Sequence, residues 1–268
     1  MIIPLKKYAM KFGLYYKEKN KENAAFLKEQ LEKNGFILDN VNPDVVFSIG
    51  GDGTFLQAVH SYIDKLDYIK FVGINYGSLG FFCGYTKEDI PELIKELNGE
   101  LFVKQYSLLK GEIKYQNNEQ VIYALNEIRI ENPFHTLISD VFVDDEKLET
   151  FRGNGLMVCS SLGSSAYNKS LGGALVDPDL NALELTEIAG LDNNIFHSLK
   201  SSLIVNGNKK ISFKGDLVST VVGYDNLSIN KDENLKEVTI SVSNKKVSIV
   251  YSKNNSYIKK IRKSFVLW

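Results

Sequence analysis

Val45-Val-Phe-Ser-Ile49 runs without a break into Gly50-Gly-Asp-Gly-Thr54. The first five residues form a short, largely apolar run closed by glycines, the pattern of a strand buried on both faces. Phe55, Val59, Tyr62 and Ile63 then recur at helical spacing. The junction therefore reads as strand, tight turn, helix. Upstream, Phe12-Gly-Leu-Tyr-Tyr16 reads as another short buried strand. Asn20 stands where a helix N-cap is expected, Ala24, Leu27 and Leu31 make an apolar stripe, and Gly35 is suited to end the helix. Downstream, Phe71-Val-Gly-Ile-Asn75 is a third strand, and Ile90, Leu93, Ile94 and Leu97 mark a helix that closes near Gly99. Strands alternating with helices of this length predict a parallel sheet covered by helices.

The pattern changes between Gly99 and Tyr106. Glu112–Tyr115, Val121–Glu131, Ile138–Val143, Ser202–Val205, Lys210–Phe213, Val218–Val222, Val238–Val242 and Val247–Tyr251 carry strand signals, with Asp144-Asp-Glu-Lys147 as a turn. The expected organisation is α/β plus β: an α/β domain over 1–100, a β-rich domain over 101–255, and a basic, aromatic tail over 256–268. The tail is expected to pack on a domain with its lysines in solvent.

With 268 residues, of which 44% are hydrophobic, the chain can bury a large core without covalent staples. Lys+Arg 32 against Asp+Glu 33 leaves a net charge of -1, which argues against a strongly basic nucleic-acid binder. Cys83 and Cys159 are the two cysteines, too few for a disulfide framework or a four-cysteine zinc site. No apolar run reaches membrane-spanning length. Met1-Ile-Ile-Pro-Leu-Lys-Lys7 lacks the apolar core and cleavage site of a signal peptide, so a cytoplasmic protein with no membrane partner is expected.

Three segments carry chemistry. In Gly50–Thr54 the glycines let backbone N–H groups approach phosphate oxygens, and a helix N-terminus adjoins them. Asp52 would repel phosphate. It is therefore read as a proton acceptor for an attacking hydroxyl, as a holder of a divalent cation, or as a helix cap in a plain turn. Asn126-Glu127 lies inside the apolar-flanked run Ala124–Ile130, where each side chain needs a partner if buried. On a strand, one would face a ligand and the other brace a loop; a kink with both in solvent is the alternative. Gly163-Ser-Ser-Ala-Tyr167 follows Ser160 and Ser161, and the hydroxyls of Ser160, Ser161, Ser164 and Ser165 could be donated to a ligand or belong to a loop. Gly223-Tyr-Asp225 is either a turn or the source of a further carboxylate. Neither a Walker-type GxxxxGK[ST] loop nor a GxGxxG fingerprint after the first strand is present.

In this order, Gly50–Thr54, Asn75-Tyr-Gly-Ser-Leu-Gly-Phe81, Asn126-Glu127, Phe151-Arg-Gly-Asn-Gly-Leu156, Gly163–Gly173 and Asp225 resemble the NAD kinases over nearly the whole chain. The GGDGT loop alone is shared with lipid kinases and 6-phosphofructokinases; the ordered set is far more specific. The resemblance implies a Rossmann-like N-terminal domain, a β-rich NAD-binding C-terminal domain and a tail returning to the first. It implies transfer of the ATP γ-phosphoryl group to the adenosine-ribose 2′-hydroxyl of NAD, a divalent cation such as Mg²⁺, and a homodimer or homotetramer.

Carried over by position, Asp52 would be the general base, with Gly50, Gly51 and Gly53 lining the phosphates. Asn126 and Glu127 would hold the dinucleotide. Ser165, Ala166, Tyr167, Asn168, Lys169 and Ser170 match the adenine- and ribose-binding stretch, and Asp225 a later acidic position. Asn75, Phe81, Arg152, Asn154 and Ala189 match lining positions, and no residue is assigned to a metal. Asn154 stands where the family usually has aspartate, and Ser160-Ser161-Leu162-Gly163 replaces its usual Thr-Pro-Thr-Gly. Asn154 loses a charge but gains a donor. Leu162 removes a hydroxyl, and Ser161 frees a backbone that proline would fix.

Overall fold

In the computed structural model of the protein the described residues are 2–4 (backbone course only), 9–77, 80–229, 234–253 and 255–267. Ser78 and Leu79 of the Asn75–Phe81 segment, Trp268 of the tail, and Met1 and 5–7 of the N-terminal stretch lie outside them. The chain forms two compact units. One comprises Met1–Tyr106 with Lys245–Trp268, and the other Ser107–Asn244. The divisions fall inside two long strands, Glu100–Tyr115 and Leu235–Tyr251.

The first unit is the α/β one. Its parallel strands run in the order Ile37–Leu38, Lys11–Tyr16, Val45–Ile49, Lys70–Asn75. Lys70–Asn75 is flanked on its other side by Ser248–Val250 along its first half and by Cys83–Thr86 along its second, both parallel. All of Val45–Ile49 is buried, as its apolar run requires. Helix Lys21–Lys33 covers the sheet with the expected stripe of Ala24, Leu27 and Leu31. Helix Asp52–Ser61 buries Phe55, Leu56, Ala58 and Val59. Phe55 stacks on Phe82 with ring centroids 5.0 Å apart. Full burial of side chains like these contributes roughly 1.5–3 kcal/mol each.

Two local expectations need correcting here. Asn20 precedes its helix but caps nothing with its side chain. It is buried instead, and its Nδ2 donates to the Ile49 carbonyl at 3.1 Å, tying the helix to the end of the central strand. The tail forms helix Tyr257–Ile261 and a π-helical turn Arg262–Val266 within this unit. Its lysines are not all solvated: Lys259 and Lys263 are exposed, but Lys260 is only 7% exposed.

The second unit is antiparallel throughout. One sheet runs Leu203–Asn206, Ala182–Ile188, Gly155–Ser160, Glu127–Glu131, Val221–Tyr224, Leu227–Ile229. Further pairing joins Glu146–Gly153, Leu137–Val143, Ile211–Leu217 and the stretch 235–240. Residues 109–114 pair with Glu119–Ala124. Ile128, Ile130, Leu156, Val158, Leu183 and Leu185 of the first sheet share a core with Val141, Phe151, Phe213 and Val238. The single strand expected over Val121–Glu131 is two strands, Glu119–Ala124 and Glu127–Glu131, which pair with different partners. The break falls at Leu125-Asn126. Among the described residues, no helix is long and apolar enough to cross a membrane.

Candidate active site

In the first unit the chain leaves the central strand at Ile49 and turns at Gly50, whose φ of +150° strains any other residue. A Cβ there would also sit 2.7 Å from Thr54 Oγ1. Gly51 and Gly53 are exposed, and a Cβ on either would meet nothing within 4 Å, so a ligand can approach this backbone closely. Asp52 opens the helix, half-buried. Its two carboxylate oxygens accept from consecutive backbone amides, Oδ2 from Phe81 N at 2.8 Å and Oδ1 from Phe82 N at 2.9 Å. Each ionised carboxylate oxygen has two acceptor directions, so both retain capacity for another donor. Asn75, buried at the end of the next strand, accepts from Gly77 N at 2.9 Å and so shapes the start of the segment that leads to Phe81.

Cys83 and Lys260 stand beside this acid. Burial, and then the charge of Asp52, push the Cys83 thiol up to about 12, so it is inert and donates to the Gly50 carbonyl at 3.4 Å. Lys260 Nζ donates to the Phe81 carbonyl at 2.5 Å and lies 4.9 Å from the Tyr251 ring centroid. Burial brings its pKa down to about 8, while Cys83 and Asp52 hold it up. The Phe81 ring stacks on Phe265 at 5.7 Å and meets Tyr257 edge-on at 6.2 Å.

In the second unit the strand break at Leu125-Asn126 has a cause. Asp225, in the left-handed region at φ 49°, turns its buried carboxylate onto it. Its oxygens accept from Leu125 N at 2.9 and 3.1 Å and from Asn126 N at 2.7 Å. Its own N–H donates to the Glu127 carbonyl at 3.0 Å. Asp225 is thus a brace for the corner. Gly163 packs against the Asn126 peptide so closely that a Cβ would overlap its carbonyl. Asn126 and Glu127 are both buried, and among the described residues Asn126 Oδ1 and Glu127 Oε2 have no hydrogen-bond partner. Such orphans are costly unless a ligand supplies donors. Burial, then the Asp225 charge, raise Glu127 to about 8 against the opposing pull of Arg129. Arg129 Nη1 reaches Glu127 Oε1 at 3.3 Å and the Asp225 carbonyl at 3.2 Å, and its guanidinium lies 5.6 Å from the Tyr167 ring centroid.

The serine segment is built differently from its appearance in sequence. Ser160, Ser161 and Ser164 donate to the carbonyls of Leu125, Leu180 and Ser161 at 2.7, 2.7 and 2.8 Å. These hydroxyls hold the turn rather than pointing outward. Ser165, Ala166, Tyr167, Lys169 and Ser170 are at least partly exposed along the turn and the short helix Tyr167–Ser170. Asn168 is fully buried, donates to Glu184 Oε2 at 2.9 Å and accepts from Thr186 Oγ1 at 2.7 Å, so its amide anchors the helix. Asn154 Nδ2 donates to the Asn132 carbonyl at 3.2 Å, a bond an aspartate could not make. Arg152 lies over the Phe196 ring at 4.5 Å, and Ala189 is exposed with φ +48°.

Sequence reasoning passed over Arg129, Glu184 and Lys260. Arg129 carries a signal, since it stands two residues beyond Glu127 on a strand and so shares its face. Glu184 and Lys260 carry none: their partners are distant in sequence.

A glycine-led turn ending a parallel strand at an acid, and a second unit with a buried amide and carboxyl awaiting donors, define a nucleotide-handling enzyme. Residues 6–101 match the family model described as the ATP-NAD kinase N-terminal domain, and residues 125–252 the ATP-NAD kinase C-terminal domain. The chain is 35% identical over 244 residues to an NAD kinase of Leuconostoc citreum, covering 90% of this chain and 91% of that protein. It is also 35% identical over 247 residues to an NAD kinase of Streptococcus pneumoniae, covering 90% and 89%. The fold matches yeast NADH kinase complexed with NADH at a TM-score of 0.80 and 18% identity, covering 96% of this chain and 87% of that one. It matches an NAD kinase from Archaeoglobus fulgidus in complex with ATP at 0.74 and 22%, covering 95% and 99%. The chain belongs to the NAD kinase family and is an enzyme with NAD kinase activity.

Proposed function

We propose that the protein transfers the γ-phosphoryl group of ATP to the 2′-hydroxyl of the adenosine ribose of NAD, giving NADP and ADP. The bond formed joins the ribose 2′-oxygen to the γ-phosphorus. The bond broken joins that phosphorus to the oxygen that leaves on ADP, and the 2′-hydroxyl proton passes to Asp52. The observation that carries this reading is the carboxylate of Asp52. It is held by the Phe81 and Phe82 amides at the mouth of an open glycine turn and still has lone pairs to offer. A base fixed in this way needs no reorganisation as the hydroxyl attacks.

Asn126 Oδ1 and Glu127 Oε2 supply the acceptors for the dinucleotide. Its ribose hydroxyls and adenine amino group are donors of the kind these orphaned atoms lack. The half-exposed face of Tyr167, backed by Arg129, offers a stacking surface for a base. Ser165, Ala166, Lys169 and Ser170 flank it on the same turn and helix, and Arg152, Asn154 and Ala189 are proposed as outer lining.

Among the described residues, no group of three or more His, Cys, Asp or Glu side chains is set to hold a metal. This donor set fits a divalent cation that arrives on the triphosphate with its own water. When bound, that cation neutralises charge on the transferring phosphoryl group. A homo-oligomer is also proposed for this chain, supported by exposed apolar side chains such as Phe134 and Ile195 on the second unit. Its mass in solution by light scattering tests that point.

A coupled assay tests the reaction. Purified protein is mixed with NAD, ATP and Mg²⁺, and NADP is read with an NADP-specific dehydrogenase. NADH and inorganic polyphosphate are run as alternative acceptor and donor, with Asp52→Asn in parallel. NADP from wild type and almost none from the variant is the expected result. Undiminished turnover by the variant removes Asp52 from the base role.

A further inference from the structure

Among the described residues of the tail, Lys260 is the one charged side chain that is buried. It is directed at a backbone carbonyl, that of Phe81, at 2.5 Å. The two amides on either side of that carbonyl group, Phe81 N and Phe82 N, are the donors that grip Asp52. The Phe81–Phe82 peptide is therefore held from both of its polar ends, its N–H on the acid and its C=O on the lysine. The tail also covers the Phe81 ring, with Phe265 stacked on it and Tyr257 against its edge. Both described hydrogen bonds to the base come from this one segment, and the segment is held by the tail.

We infer that Lys260 is a positioning residue for phosphoryl transfer: it fixes the Phe81–Phe82 peptide, and through that peptide the carboxylate of Asp52. The inference rests on the base role proposed for Asp52 and extends it to the far end of the chain. Three physical points support it. First, an ammonium on a peptide carbonyl polarises the peptide, so the Phe82 N–H that shares it becomes a better donor to the carboxylate. Second, burying an ammonium carries a desolvation penalty that a bond to one carbonyl does not remove. A lysine with the tail's other lysines in solvent would not be buried for stability alone. Third, the charge is present when it is needed. Burial lowers Lys260 only to about 8, with Cys83 and Asp52 opposing the fall, so the side chain is mostly an ammonium at pH 7.

The test compares Lys260→Met, Phe265→Ala and Asp52→Asn with wild type. For each, kcat, the KM for NAD and the thermal midpoint are measured. Lys260→Met keeps the apolar stem and removes the charge. It is expected to lower kcat about tenfold or more, to leave the NAD KM within about threefold, and not to lower the midpoint. Phe265→Ala, which uncovers the Phe81 ring from the outside, should lower kcat in the same way but less. A purely structural role predicts something else: a lower midpoint, with KM rising as kcat falls. That result, or a Lys260→Met kcat within twofold of wild type while Asp52→Asn is inactive, overturns the inference and leaves the base role standing. Turnover by Asp52→Asn overturns the base role itself. If Lys260→Met does not fold, the kcat and KM of Phe265→Ala decide.

Discussion

The Asp52 turn and the Asn126-Glu127 corner are both polar, both glycine-shaped and both set by strand ends, yet their hydrogen bonding is opposite. Asp52 has a protein donor on each oxygen. Asn126 Oδ1 and Glu127 Oε2 have none among the described residues, although both residues are buried. The first arrangement is preorganised: its geometry is complete before substrate arrives and suits a group that acts in the transition state. The second is incomplete by itself and suits ground-state binding, because a ligand's donors relieve a penalty the empty corner carries. On the proposed function the contrast divides the reaction between rate and affinity, and it can be broken by substitutions that move the wrong constant.

The largest effect is expected from Asp52→Asn. Loss of a positioned general base lowers kcat by about 10²–10⁴, with the NAD KM nearly unchanged. Part of that loss comes from geometry. An asparagine can accept from only one of the Phe81 and Phe82 amides and turns its own NH₂ toward the other. Binding of NAD measured by calorimetry separates the two contributions, and a large loss of affinity would break the contrast. Next comes Asn126→Ala. It removes an orphaned acceptor that a ligand would satisfy, so the NAD KM should rise about tenfold, equivalent to about 1.4 kcal/mol, while kcat holds. A fall in kcat at constant KM would place Asn126 with the reacting atoms instead.

How far the residues announce this depends on how far away their partners are. The strand–turn–helix at Val45–Ser61 is legible because its signals are local: an apolar run, a glycine-rich turn, then helical periodicity. Asn126-Glu127 stands out as polar residues in an apolar run, but the strand break they sit on does not. The break is made by Asp225, 100 positions from Leu125 and 99 from Asn126. The serines after Cys159 look alike in sequence, and only the fold shows that Ser160, Ser161 and Ser164 are bonded to carbonyls. Lys260 was the least legible, since the carbonyl that buries it lies 179 positions away. Strands Ala182–Ile188 and Cys83–Thr86 also escape a reading by pattern. The first carries Glu184 and Thr186 inside, for Asn168, and the second is too short to show a period.

Asp225→Asn sharpens the contrast from the side of the corner. The Asp225 carboxylate accepts from two amides in a buried place, and charge-assisted bonds of this kind contribute about 1.5–3 kcal/mol each. The neutral amide accepts from fewer and presents donors to donors. A lower denaturation midpoint and a several-fold higher NAD KM should appear together, because the residue shapes the corner and touches no reacting atom. A change confined to kcat would mean that Asp225 acts on the chemistry.

The smallest effect on turnover is expected from Glu127→Gln, and its value lies in the pH dependence of stability. Burial and Asp225 raise Glu127 from 4.5 to about 8 in the folded protein. At pH 7 the side chain is then mostly protonated, and glutamine, also neutral, should change kcat little; with its oxygen kept on Arg129 it turns an NH₂ to the open position, so the NAD KM should rise a few-fold. The sign for stability follows from proton uptake. Between about 4.5 and about 8 the unfolded chain has lost this proton while the folded chain still holds it. Wild-type stability from this group is therefore full below about 4.5 and declines as pH rises through about 8. The glutamine variant lacks that decline, so its denaturation midpoint should overtake that of wild type as pH approaches 8. Parallel curves for the two proteins would show that Arg129, 3.3 Å from Oε1, holds Glu127 ionised. The corner would then be charged in the unliganded state, and its open atom would select a donor that carries positive charge or several hydroxyls rather than a single neutral one.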